Sequence, residues 1–201
     1  MIKTVIFDLG GVIVPLDFSR AYRRMSELTS LGEDEVRGRI WGTDIGSRLE
    51  CGQISARQFV DELGEMLDSK LDYEEFCELW SSIFFPETLI PESLLEAVKS
   101  RHRLLLLSNT NVMHFEMIRA NYGLLRHFDH YVLSYEVGAV KPSPRIFEAA
   151  IEHARCEPGE CFFTDDVQAF VDGARAAGID AVQFQGYEQL RASMRERGIA
   201  V

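Results

Sequence analysis

At 201 residues the chain has room for one α/β domain with a modest insertion and a sizeable core. Its apolar fraction of 46% and charged fraction of 26% are ordinary globular values, and a net charge of −11 argues against a nucleic-acid or anionic-membrane partner, which would want a basic face. An anionic substrate stays open, because a metal ion and a few local cations reverse the field inside one pocket.

The start, Met1 to Asp8, meets a carboxylate after a short apolar run and lacks the core of a secretory signal. Elsewhere the longest apolar run is Leu104 to Leu107, far too short to span a bilayer. Cys51, Cys77, Cys156 and Cys161 form no C-x-x-C pair, so reduced thiols in a soluble, cytoplasmic protein are expected.

In chain order, Val5-Ile6-Phe7 reads as a buried strand running into a tight glycine turn, Asp8-Leu9-Gly10-Gly11. Residues 16–90 then read as consecutive helices. Phe18, Ala21, Tyr22, Met25 and Leu28 make one apolar face, with Asp17 placed to cap that helix. Ser55 and Gln58 have capping-box spacing, flanked by Ile54 and Phe59 as a hydrophobic staple, and Asp72 with Glu75 repeats the device. Trp41, Arg48 and Glu50 are candidates to line the inner side of a pocket, but the favoured expectation puts Trp41 in the core of this helical block and the two charges on its surface.

Pro86 and Pro91 mark a return to strands. Leu104–Leu107 runs into Ser108-Asn109-Thr110, Tyr131-Val132-Leu133 into Ser134, and Cys161-Phe162-Phe163 into Thr164-Asp165-Asp166, with Ala181–Phe184 as a weaker last strand. Between them, Phe147, Ala150, Ile151 and Ala154 recur at helical spacing behind Ser143 and Pro144. Alternating strands and helices imply an α/β fold: a doubly wound, mainly parallel sheet formed by residues 1–15 and 91–201, with an inserted all-helical cap at 16–90. In such sheets ligands sit at the carboxyl ends of strands, where every polar cluster named here falls.

Those clusters are Asp8, Ser108-Asn109, Lys141-Pro142 and Asp165-Asp166. Three carboxylates, one ammonium and one hydroxyl from four separate loops suit a hard, oxygen-ligated cation such as magnesium, with the lysine opposite to meet a carboxylate or a phosphoryl oxygen. The histidines show no metal-ligand spacing and are expected to be structural or at the surface.

The order and type of these clusters resembles the four motifs of the haloacid dehalogenase superfamily, and the helical insertion resembles its small C1-type cap. Phe7 to Val12, Leu107 to Asn111 and Glu50 to Ser55 are similar to the branch containing α-D-glucose-1-phosphate phosphatases. The resemblance implies a phosphatase for a small phosphomonoester, a sugar phosphate being favoured. It implies Asp8 as the nucleophile forming an aspartyl-phosphate. It further implies magnesium held by Asp8, the Gly10 carbonyl, Asp165 and Asp166. The phosphoryl group would be bound by Gly10, Gly11, Ser108, Asn109 and Lys141, with Ser108 and Lys141 taking part in catalysis. Monomer and homodimer are both compatible with the pattern.

Two departures stand out. The family's second aspartate, two residues after the nucleophile, is here Gly10, and the acid or amide usual after the fourth motif is replaced by Ala169 and Phe170. An easily displaced leaving group, a water, a cap residue or Asp17 would have to supply the missing acid. Two other functions compete: a metal-free dehalogenase in which Asp8 attacks carbon, and a low-turnover domain that binds a phosphorylated ligand.

Overall fold

A computed structural model describes residues 1–201. All five anticipated strands form: β1 (Thr4–Phe7), β2 (Arg103–Ser108), β3 (His130–Leu133), β4 (Cys161–Asp165) and β5 (Asp180–Gln183). They make one parallel sheet in the order β3-β2-β1-β4-β5, with β1 at the centre. The chain builds outward from β1 on one side and then on the other, so the strand order reverses there. That reversal opens a crevice at the carboxyl edge, the usual ligand position in such sheets. Phe7 lies opposite both Leu106 and Thr164, so Asp8 leaves the sheet beside the ends of β2 and β4.

The helical insertion comprises α1 (Ser19–Leu28), α2 (Glu33–Trp41), α3 (Ile45–Glu50), α4 (Ala56–Met66) and α5 (Tyr73–Ser81). They surround their own buried cluster, which includes Met25, Ile40, Phe59, Leu63, Phe76 and Trp80. Ser55 and Gln58 close the expected capping box at the start of α4, and the Asp72 carboxylate accepts from Glu74 and Glu75 N–H at the start of α5. Asp17 accepts from Ser19 N–H at 2.9 Å, one residue ahead of Phe18, which takes the expected N-cap position of α1 without a side-chain bond of its own. The chain crosses between sheet and insertion twice, side by side. Asp17 N–H donates to the Ile83 carbonyl, Phe85 N–H donates to that of Pro15, and Leu16 bridges Phe84 in antiparallel fashion.

The sheet is covered on both faces, as its uninterrupted apolar strands require. Side-chain alternation sends Val5, Phe7, Leu104 and Leu106 toward α6 (Glu92–Lys99), α7 (Val112–Asn121) and α11 (Tyr187–Glu196). It sends Ile6, Leu105, Leu107 and Phe163 toward α9 (Pro144–Ala154) and α10 (Gln168–Ala176). A short α8 (Ser134–Val137) follows β3. No helix is long and apolar enough to cross a membrane.

His114 ties the two parts together. Asn111 caps α7 by accepting from His114 N–H, its amide donates to His114 Nδ1, and His114 Nε2 donates to the Trp80 carbonyl, each at 3.1 Å. The carbonyl can only accept, so the ring is the neutral Nε2–H form, stacked on Trp80. Burial holds its pKa down at about 4, against an ordinary 6.5. The unfolded chain therefore takes up a proton that the fold refuses. The stabilisation is complete above pH 6.5 and drains away as the pH falls toward 4. Denaturant titrations at pH 7 and pH 4.5 should differ by roughly 2–3 kcal/mol from this group. His114→Gln should lack that component; an unchanged pH slope in the variant would remove His114 from the account.

Candidate active site

The strand ends converge on a cleft of about 320 Å³ between the sheet and the insertion, lined by Asp8, Gly10, Ser108, Asn109, Lys141 and Asp166 among others. Lys141 is its electrostatic centre. Its side chain is fully buried, with Nζ 2.8 Å from Asp8 Oδ1, 2.6 Å from Asp165 Oδ2 and 3.3 Å from the Leu107 carbonyl. Nζ also lies 5.1 Å from the Phe170 ring centroid and 5.7 Å from that of Phe163, on the π-faces that favour a cation. Phe170, the departure after the fourth motif, is thus a wall of the cleft.

The loop carrying Lys141 is held by Asn109. The Asn109 carboxamide accepts from Lys141 N–H at 2.7 Å and donates to the Lys141 carbonyl at 3.1 Å. Its polar atoms are therefore committed to protein. Ser108, at the end of β2, is buried at the cleft wall, where its hydroxyl makes only a long 3.4 Å contact to the Asn109 carbonyl. The neighbouring Thr110 backbone is fixed by Ser134, which accepts from its N–H and donates to its carbonyl.

Asp165 has no solvent exposure. One carboxylate oxygen meets Lys141 and the other accepts from Val167 N–H at 2.9 Å. Asp166 lines the cleft itself. Oxygens of Asp8, Asp165 and Asp166 lie within 4.8 Å of one another. Gly11, at φ +78°, backs directly on Asp166: a Cβ there would lie 2.4 Å from Oδ2.

Three carboxylates share one ammonium. Burial pushes Asp8 up to about 7 despite Lys141, with Asp165 adding to the rise, while two carboxylates hold Lys141 above the usual lysine value. Burial also raises Asp166. With all three carboxylates ionised the cluster has a formal excess of two negative charges, which burial disfavours in the absence of a cation, and its donors are all oxygen. That is the charge and hardness a divalent magnesium ion satisfies.

The insertion supplies the rest of the cleft, and here the sequence reading needs correction. Trp41 is 52% exposed at the cleft rim rather than packed in the cap core, since α2 presents Val36 and Ile40 inward instead. Glu50 lines the cleft rather than the outer surface. Arg48, two residues earlier, does face outward and pairs with Glu62. Leu16, Phe18, Phe84 and His114 complete the wall. Asp17 is not part of it and borders a separate outer hollow. Glu50 ends a helix two residues before Gly52, whose backbone, at φ +64°, lies against Tyr135 of the core, a contact that the residue order does not display.

The haloacid dehalogenase-like hydrolase family model matches residues 2–178. The chain belongs to this family. Its relatives include a D-ribitol-5-phosphate phosphatase of Bacteroides thetaiotaomicron, 31% identical over 91% of this chain and 92% of the relative. A phosphorylated carbohydrates phosphatase of Thermotoga maritima is 28% identical over 90% of this chain and 83% of its own length. A solved family enzyme from Bacteroides thetaiotaomicron, in complex with magnesium and inorganic phosphate, superposes with a TM-score of 0.82 at 27% identity, covering 92% of this chain and 96% of that one.

Proposed function

We propose that this hydrolase is a magnesium-dependent phosphatase of small phosphorylated carbohydrates, with residues 16–90 acting as a cap over a core of 1–15 and 91–201. The observation that carries the reading is the meeting of Asp8, Lys141, Asp165 and Asp166 at one cleft, three carboxyl groups around a single ammonium. Relatives named for ribitol 5-phosphate and for phosphorylated carbohydrates point to the same substrate class. The glucose 1-phosphate narrowing rests on the segments around Asp8, Ser108 and Glu50 alone, and a polyol or sugar phosphate is the wider class that fits.

In this reading Asp8 attacks phosphorus in line and becomes an aspartyl-phosphate, which water then hydrolyses. Asp8, the Gly10 carbonyl, Asp165 and Asp166 would hold magnesium. When bound, the ion would supply positive charge for the phosphoryl oxygens and favour the ionised form of Asp8, which burial disfavours. Lys141 and Ser108 bind the phosphoryl oxygens as charge moves onto them, with the backbone of Gly10 and Gly11 alongside. Asn109 keeps the Lys141 loop in register.

The direct test is phosphate release from a panel of polyol phosphates, sugar phosphates and p-nitrophenyl phosphate. Turnover should require magnesium and vanish in chelator. Halide release from a 2-haloacid that ignores chelator would instead favour attack on carbon, and tight ligand binding without turnover would favour a binding domain.

Gly11→Ala probes the ion separately. The new methyl group strains a left-handed backbone by about 1–2 kcal/mol and displaces Asp166. Calorimetric titration should give magnesium affinity weaker by ~10–100-fold. Affinity equal to the parent's would take Asp166 out of the metal site.

A further inference from the structure

We propose that Glu50 of the cap is the general acid and base of this site, replacing the aspartate that Gly10 lacks; the inference rests on the phosphatase reading above. Gly10 has no side chain to offer, and a Cβ there would already meet a methyl of Leu16 at 2.6 Å. Asp17 is engaged with Ser19 outside the cleft. Of the acids and bases that do line it, Asp8 is the nucleophile and Asp166 belongs to the metal cluster. Lys141 is locked between carboxylates, and both His114 ring nitrogens are hydrogen-bonded. Glu50 remains. Its carboxyl forms no hydrogen bond or ion pair within the protein and faces the same cavity as Asp8.

Its position is fixed by the fold. Glu50 is the last residue of α3, and two residues on Gly52 seats the cap backbone on the core, so closely that a Cβ there would lie 2.1 Å from the Tyr135 carbonyl of α8. Across the cleft it faces Lys141, Asp8 and Asp166; α8 contributes Tyr135 and Glu136 near the seat, and Arg48 on its own helix is turned away to Glu62. Burial raises its pKa to about 7, with Lys141 opposing the rise. A group so poised both gives and takes a proton near neutrality.

The proton inventory closes over two steps. As an Asp8 oxygen bonds to phosphorus, the ester P–O bond breaks with its electron pair on the leaving oxygen, and protonated Glu50 delivers a proton there, releasing the alcohol. Water then attacks phosphorus and gives a proton to the Glu50 carboxylate. The P–O bond to Asp8 breaks, its pair returns to Asp8, and phosphate leaves with Glu50 protonated again.

Stopped-flow kinetics with p-nitrophenyl phosphate and ribitol 5-phosphate test this on Glu50→Gln in the full-length, magnesium-loaded protein. Nitrophenolate needs no proton to leave, so the first step should stay within ~10-fold of the parent while hydrolysis of the phosphoenzyme falls by ~10²–10⁴-fold. The trace should then show a burst of one nitrophenolate per enzyme. With ribitol 5-phosphate the first step itself should fall by ~10²–10⁴-fold, leaving no phosphoenzyme to trap. Glu50→Asp, which keeps a carboxyl, should recover at least ~10-fold over the Gln variant on both esters, while the nitrophenolate burst counts the folded sites of the Gln variant. An active parent whose Gln variant shows parent steady-state rates, equal losses on both esters with no burst, or no recovery by Asp overturns the role of Glu50 alone. A parent that releases no phosphate in magnesium overturns the phosphatase reading and this role with it.

Discussion

Asp8→Asn should lower phosphate release by at least about 10⁴-fold, the scale seen when a nucleophile is removed from a unit of interdependent groups. Asparagine keeps the shape of aspartate but offers no carboxylate to attack phosphorus. The accompanying stability change has the opposite sign. Burial holds the Asp8 carboxyl at about 7, above its ordinary 3.8, so its ionised form weakens the fold progressively as the pH rises between those values. Removing the charge lifts that penalty at neutral pH. In chelator the Asn variant should therefore melt at or above the parent. In magnesium the order should reverse, because only the parent gains fully from ion binding. Residual activity above a few per cent would show that another group performs the attack.

Lys141→Met should cost about 3–5 kcal/mol, the penalty for leaving buried carboxylates without their partner. Both Asp8 and Asp165 lose their cation at once, and Asp165, fully buried, has no solvent to replace it. For a chain of this size that corresponds to a melting temperature lower by roughly 6–20 °C. Magnesium should recover part of the loss, since a divalent ion restores charge balance to the same carboxylates. Turnover should fall by ~10²–10³-fold even where the protein remains folded, as the phosphoryl oxygens lose a fixed positive charge. A variant that melts with the parent would mean that Lys141 does not carry the charge balance of the cluster.

The sheet was legible because each strand is a short apolar run ending abruptly in polar residues, a pattern that Leu104–Ser108 and Cys161–Asp165 display without interruption. Parallel pairing then brings those ends to one edge, so Asp8, Ser108 and Asp165 could be grouped before any coordinate was known. The cap was harder. Its capping boxes announce α4 and α5, yet α3 has six residues, too few to show a period. Which way Glu50 points is decided by Gly52 docking on Tyr135, a contact between segments over eighty residues apart. Trp41 was misjudged for a related reason: a large aromatic residue suggests a core, but the inward places on α2 belong to Val36 and Ile40. The role of Asn109 was hidden as well, because a carboxamide after a strand reads equally as a ligand contact or a clamp on another loop.

The seating of the cap through Gly52 has a consequence for how the cleft is supported. The contact is made by main chain against main chain, so it is insensitive to the identity of surrounding side chains. Trp41, at the end of α2, and Phe18, just ahead of α1, line the cleft from positions away from that anchor. If Glu50 delivers the proton, its support is thus separate from those of the aromatic residues that line other parts of the same cleft.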